Sequence, residues 1–114
     1  MNTEQWNQRL AFFDSLIAMN SDFERKGKAM PYTSANGHMF SQLNKAGEIG
    51  IRLPKESREA FIADYQTTLF SAYGTVMKEY VLIPEKLHDQ PQLLNDLLSE
   101  AFVYVSSLAP KAKK

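Results

Sequence analysis

The sequence predicts a two-layer α+β domain: an antiparallel sheet of about four to five strands carrying three helices, in the order α-β-β-β-α-β-β-α. Three observations predict it. Apolar residues recur at helical spacing near both ends of the chain and once in its middle. Between those stretches they alternate with polar residues at period two, the mark of a strand with one buried face. Short turns, not helical crossovers, join the strand-like runs, which makes their pairing antiparallel.

The first helix is expected to begin after Thr3, a residue suited to cap it. Trp6, Leu10, Phe13 and Ile17 follow at spacings of four, three and four, so they share one stripe, with Arg9 and Asp14 mostly on the other side. The pattern weakens near Asn20, and Gly27 breaks it. From Pro31 the period changes. Met39 to Leu43 reads as a strand and Asn44-Lys45-Ala46-Gly47 as a turn. Ile49, Ile51 and Leu53 then alternate with Glu48, Gly50 and Arg52, which predicts one buried and one wet face. Gly50 inside that strand marks a bulge or a close backbone approach.

Pro54 ends the strand and suits the first turn of a second helix, Lys55 to Gln66, with Phe61, Ile62 and Tyr65 as its apolar face. Gly74 bends the chain between two extended pieces, the second running from Met77 to Pro84. In the last helix Asp89 is the expected cap, Pro91 sits in the first turn, and Gln92 completes a capping box. Leu94, Leu98, Ala101, Val105 and Leu108 hold helical spacing until Ala109-Pro110. Residues 1–110 are thus expected to form one domain, and 111–114, with Lys111, Lys113 and Lys114, a basic disordered tail.

A chain of 114 residues supports one core, and 44% hydrophobic with 11% aromatic residues is a globular composition. Thirteen basic residues cancel 13 acidic ones, so nucleic acid could be held only by a local patch. The absence of cysteine excludes disulfides, zinc–thiolate sites and thiol nucleophiles, and fits a reducing compartment. No basic segment followed by an apolar run opens the chain, and apolar stretches such as Tyr80 to Pro84 are strand-sized. The expectation is a soluble cytoplasmic protein with no membrane contact.

The residues carry no motif for catalysis, metal or cofactor. His38 and His88 lack a helical histidine partner and are expected at the surface. None of the serines stands in a Gly-x-Ser-x-Gly elbow, and the five glycines are scattered. Glu56 and Glu59 share a helix with Lys55 and Arg58, as on a solvated face. Basic residues do cluster at Arg25, Lys26 and Lys28. Tyr32 and Tyr80, with Arg52 or Lys78 beside them on an open sheet face, would make a stacking platform for bases; as ordinary solubility charges and core-edge tyrosines they would do nothing of the kind.

Several of these segments resemble a known family. Gly37-His38-Met39-Phe40, Gly47-Glu48-Ile49-Gly50-Ile51-Arg52-Leu53-Pro54, Arg58-Glu59-Ala60-Phe61, Gly74-Thr75-Val76-Met77-Lys78-Glu79-Tyr80-Val81 and Tyr104-Val105-Ser106-Ser107-Leu108 are similar to the N-terminal domain of the TfoX (Sxy) family. The likeness runs from about Leu10 to Pro110, on short and mostly structural motifs. It implies a small bacterial-type α+β domain without a catalytic set, attached in two-domain members to regulators of competence-gene expression. Two departures stand out: Met30-Pro31-Tyr32-Thr33-Ser34 replaces a Met-Phe-Gly-Gly-like turn, and no helical second domain follows Pro110 in this sequence.

The leading expectation is a non-enzymatic regulatory or interaction domain that engages a protein partner or a second copy of itself. A sheet with helices on one face needs polar side chains or a partner on the other. The alternative is weak nucleic-acid binding through Arg25, Lys26, Lys28, Tyr32, Arg52, Lys78 and Tyr80. A third reading, an enzyme with a small-molecule pocket, has no motif behind it.

Overall fold

Asn2, not Thr3, caps the first helix, α1 (Thr3–Ala18). Its side-chain oxygen accepts from the Gln5 amide at 2.8 Å while Gln5 Oε1 accepts from the Asn2 amide at 3.1 Å. That reciprocal box needs an amide or carboxylate side chain three residues on, which Asn2 has and Thr3, facing Trp6, lacks. The computed structural model describes residues 2–110, so the expected basic tail lies outside the described residues.

The elements follow the predicted α+β order: α1, then β1 (Tyr32–Ala35), β2 (His38–Leu43) and β3 (Ile49–Arg52), then α2 (Lys55–Tyr65), β4 (Leu69–Ala72), β5 (Thr75–Leu82) and α3 (Pro91–Ser106). The five strands form one antiparallel sheet in the order β1-β2-β3-β5-β4. Asn36-Gly37 closes the β1–β2 hairpin, and the Asn36 amide also donates to the carbonyls of Val105 and Leu108 at 3.1 and 2.7 Å. One side chain thereby ties a turn to the end of α3.

Helix boundaries differ from the predicted ones in two further places. Pro54 is the extended residue before α2 and not part of its first turn. At α3, neither Asp89 nor a capping box is used. Pro91 occupies the first helical position, which makes Gln90 the boundary, and Gln92 donates to Asp96 one turn ahead at 2.9 Å. No helix is long and apolar enough to cross a membrane among the described residues.

The three helices share one core with one face of the sheet. Phe13, Leu16 and Ile17 of α1, Phe61 of α2 and Leu94, Leu98, Ala101 and Val105 of α3 bury against Leu43, Ile49, Ile51 and Val81. Asn95, buried between helices, donates to the Leu16 carbonyl at 2.9 Å and so keeps its place in an apolar layer.

The other face is not wet, which corrects the alternation expected for β3. Phe70, Ala72 and Tyr80 bury there in a second cluster, with Met30, Met39, Met77 and Leu82 packed against it. Gly50 is buried beneath Phe70, and a Cβ on it would overlap that ring. Gly50 is therefore the close approach, not the bulge. Irregular pairing between Leu69 and Ser71 bends β4, and Asn44 Nδ2 donates to the Ser71 carbonyl at 2.9 Å, tying β4 to the β2–β3 turn. The chain covers its own second face.

Candidate functional site

Of the residues expected to form one basic, aromatic platform, the fold sets Lys26 opposite Tyr32 and Arg52 opposite Tyr80. Arg25 is half-buried against Asp14, Nε to Oδ1 at 2.8 Å, and the bonded carboxylate raises its already high pKa. Lys26 Nζ donates to Ser34 Oγ at 3.2 Å, and its backbone pairs with that of half-buried Tyr32. Arg52 donates to Glu79 at 2.8 Å, and its guanidinium lies 5.7 Å from the Tyr104 ring centre. Burial would raise Glu79, but its bond to Arg52 prevails and holds it below the usual carboxylate range.

Tyr80 is 7% exposed and donates its hydroxyl to the Met39 carbonyl at 2.7 Å. Burial also pushes its phenol upward. Its ring belongs to the second core cluster and is not open to a base. Lys78 is exposed on β5, whereas Lys28 is exposed and lines a groove beside Trp6.

Two arrangements come together that spacing did not announce. The first is a cleft of about 260 Å³ lined by Arg9, the Ala46-Gly47-Glu48 turn, Ile83, Glu85 and His88. Arg9 reaches from α1 across 76 residues of sequence to donate to Glu85 Oε1 at 2.7 Å, and it lies 3.1 Å from His88 Nδ1. A guanidinium only donates, so His88 Nδ1 accepts and its Nε2 carries the proton. The imidazole stacks on Phe12, ring centres 4.6 Å apart. Burial first, and the Arg9 charge second, lower its pKa below the usual histidine range. In turn Arg9 holds the exposed Glu85 below the usual carboxylate range.

His88 is thus half-buried and engaged, where the sequence predicts a surface histidine. His38 is likewise half-buried, its Nε2 donating to the Ala109 carbonyl at 2.8 Å. No three His, Asp or Glu side chains are grouped to hold a metal ion among the described residues.

The second arrangement lies where the start of α1, the 26–30 loop, the β2–β3 turn and the β4–β5 hairpin tip converge. One groove of about 330 Å³ is lined by Asn2, Thr3, Trp6, Lys28, Ala29 and Lys45. A second, about 270 Å³, is lined by Met30, Asn44, Lys45, Ala72, Tyr73 and Gly74, among others. Lys45 is common to both, and its Nζ stands 6.0 Å from the Tyr73 ring centre. The Trp6 indole N–H donates to the Asn44 carbonyl at 3.0 Å, which fixes its ring at the groove wall.

Neither Lys28 nor Lys45 has a carboxylate within 4.0 Å among the described residues, whereas Arg9, Arg25 and Arg52 each take one. Lys26, Lys55, Lys78 and Lys86 are equally free of carboxylates among the described residues. What singles out Lys28 and Lys45 is their place beside two aromatic rings.

Tyr73 and Gly74 form the two-residue loop between Ala72 and Thr75, both with positive φ, +54° and +73°. This is the geometry of a hairpin turn that favours Asn-Gly. The Tyr73 side chain is 72% exposed. In the sequence this surface is foreshadowed by Lys28, in the basic cluster, and by Trp6, which helical spacing places on the core stripe and which does pack, half-buried, against the core. Compared with protein-family models, with curated proteins and with solved structures, the chain matches none of them.

Proposed function

We propose that this chain is a small non-enzymatic interaction or regulatory domain, resembling the N-terminal domain of the TfoX family, that acts by contact through the Lys45–Tyr73 end of the molecule. One observation carries the reading. Tyr73 holds a left-handed backbone conformation that costs a side-chain-bearing residue about 1–2 kcal/mol, and it leaves its ring 72% exposed. The hairpin turn needs that backbone state but neither it nor the core needs a tyrosine to adopt it, and a large exposed ring kept at a position that disfavours it points to function.

Val76, on the strand leaving the same turn, is 54% exposed. Exposed aromatics beside a groove are the residues on which binding energy concentrates. A protein partner, a second copy and nucleic acid are the occupants to be told apart. The cysteine-free composition favours a cytoplasmic setting for this role.

The experiment compares the immobilised chain with its Tyr73→Asn variant for retention of the protein and nucleic-acid fractions of a cell extract. Light scattering at micromolar concentration reports self-association of both. Asparagine suits the turn, so folding is preserved while the ring is lost. Retention or self-association that disappears with the ring supports the reading. A monomer that retains nothing in a Tyr73-dependent way overturns it.

A further inference from the structure

We infer that the surface formed by Trp6, Lys28, Lys45 and Tyr73 binds single-stranded nucleic acid, its bases stacking on the two rings and its phosphates paired with the two lysines. The inference rests on the reading of this end as the contact surface, and names the partner it fits. Aromatic faces interleaved with unpaired cations along a groove are what sequence-tolerant single-strand binding requires. Here the two grooves share Lys45, so ring, cation and ring follow one another over one continuous surface.

The remaining local charges leave the lysines available. Glu48, the acidic residue of the same turn, takes the Asn44 amide at 3.0 Å and lines the Arg9 cleft instead. Trp6 is anchored through its N–H, so little is lost in ordering it when a base stacks.

Two alternatives fit less well. A protein interface is depleted of lysine at its core, yet Lys45 lies at the centre of this surface. A duplex hides its base faces and is held through many phosphates, while two lysines on a chain of zero net charge supply few such contacts. Unstacked bases supply the planar faces that both rings can use.

Trp6 is the single tryptophan of the chain, so its fluorescence reports the site directly. The experiment titrates the protein with an oligothymidylate of about 10 nucleotides, within the span that one small domain contacts. Saturable quenching is expected at low salt. Affinity should fall with salt at a log–log slope of about −1.4, the single-strand value for two phosphates. Lys28→Ala with Lys45→Ala should weaken binding at least ~10-fold, and Tyr73→Asn about tenfold, the size of one lost stacking contact.

Unfolding midpoints unchanged in the lysine variant show that a loss is not misfolding. Absence of quenching at low salt, quenching indifferent to both lysines, or equal affinity for a duplex overturns the inference. So does equal affinity for thymidine monophosphate, which would make this a single-nucleotide site. If quenching fails while Tyr73-dependent self-association or protein retention persists, this inference falls and the interaction reading stands. If all of them fail, both fall.

Discussion

Gly50 and Phe70 lie on β3 and β4, with β5 between them in the sheet, yet the Phe70 ring occupies the space a Gly50 side chain would need. That contact closes the face of the sheet opposite the helices. Gly50→Ala is expected to cost about 1–3 kcal/mol through overpacking, and Phe70→Ala about 3–5 kcal/mol through the cavity it leaves. Because each residue shapes the other's site, the double substitution should cost clearly less than the sum. Chemical unfolding of the four proteins checks this, and strict additivity would refute the contact.

Gln42 stands in register with Gly50, is 6% exposed, and its Oε1 has no hydrogen-bond partner among the described residues. A buried acceptor left unpaired costs about 1–3 kcal/mol. Gln42→Met, similar in volume and without the unpaired oxygen, should therefore raise stability by about 1 kcal/mol. A lower denaturant midpoint in this variant would show that the oxygen is satisfied.

The Arg9–His88 contact makes stability depend on pH. Burial and the Arg9 charge place the folded-state pKa of His88 below its ordinary 6.5, so the unfolded chain binds the proton more readily. The contribution is complete above pH 6.5 and is lost as pH falls towards the folded pKa. His88→Gln should flatten the stability profile in that window. The carboxylates held down by arginine, Glu79 and Glu85, act only at lower pH, below their ordinary 4.5. Thermal melts across pH 5 to 8, the range in which an unperturbed histidine changes charge, separate the two.

Tyr73→Asn should leave the fold as stable or raise it by about 0.5–1 kcal/mol, since Asn-Gly suits this turn better than Tyr-Gly. Gly74→Ala offers the converse test. Open space surrounds the position where its Cβ would stand, so the expected loss of about 1–2 kcal/mol comes from the positive φ alone. Denaturation midpoints of both variants measure the turn's own energetics apart from binding.

Asn2→Ala should cost about 1 kcal/mol, and Thr3→Ala close to nothing, because only Asn2 makes the reciprocal cap. Helix content and unfolding of the two variants decide between the observed cap and the one predicted from sequence.

Local chemistry by itself determined the class of fold and the order of its elements. The spacing of Trp6, Leu10, Phe13 and Ile17, the alternation through Ile49, Ile51 and Leu53, and the proline before α3 each act within a few residues, and each element formed as they dictate. Asn36-Gly37 carries an equally local hairpin signal, although the strands expected from the residues begin only at Met39 and leave out β1. Caps were less legible because Asn2 and Thr3, or Asp89 and Gln90, compete for one position, and reciprocal bonding or a fixed proline φ decides the winner.

Only the tertiary structure decided what covers the second face, where the cations go and which aromatics stay open. Tyr80 and Tyr73 are seven residues apart, and both belong to one hairpin, yet one is buried under β4 and the other stands free. Arg9 meets Glu85 and His88 only after α1 packs across the sheet, and Lys45 meets Tyr73 only after β4 bends back. Such contacts join residues far apart in sequence, so no spacing rule encodes them. They follow from which surfaces the chain can bury together, and that is settled over the whole molecule at once.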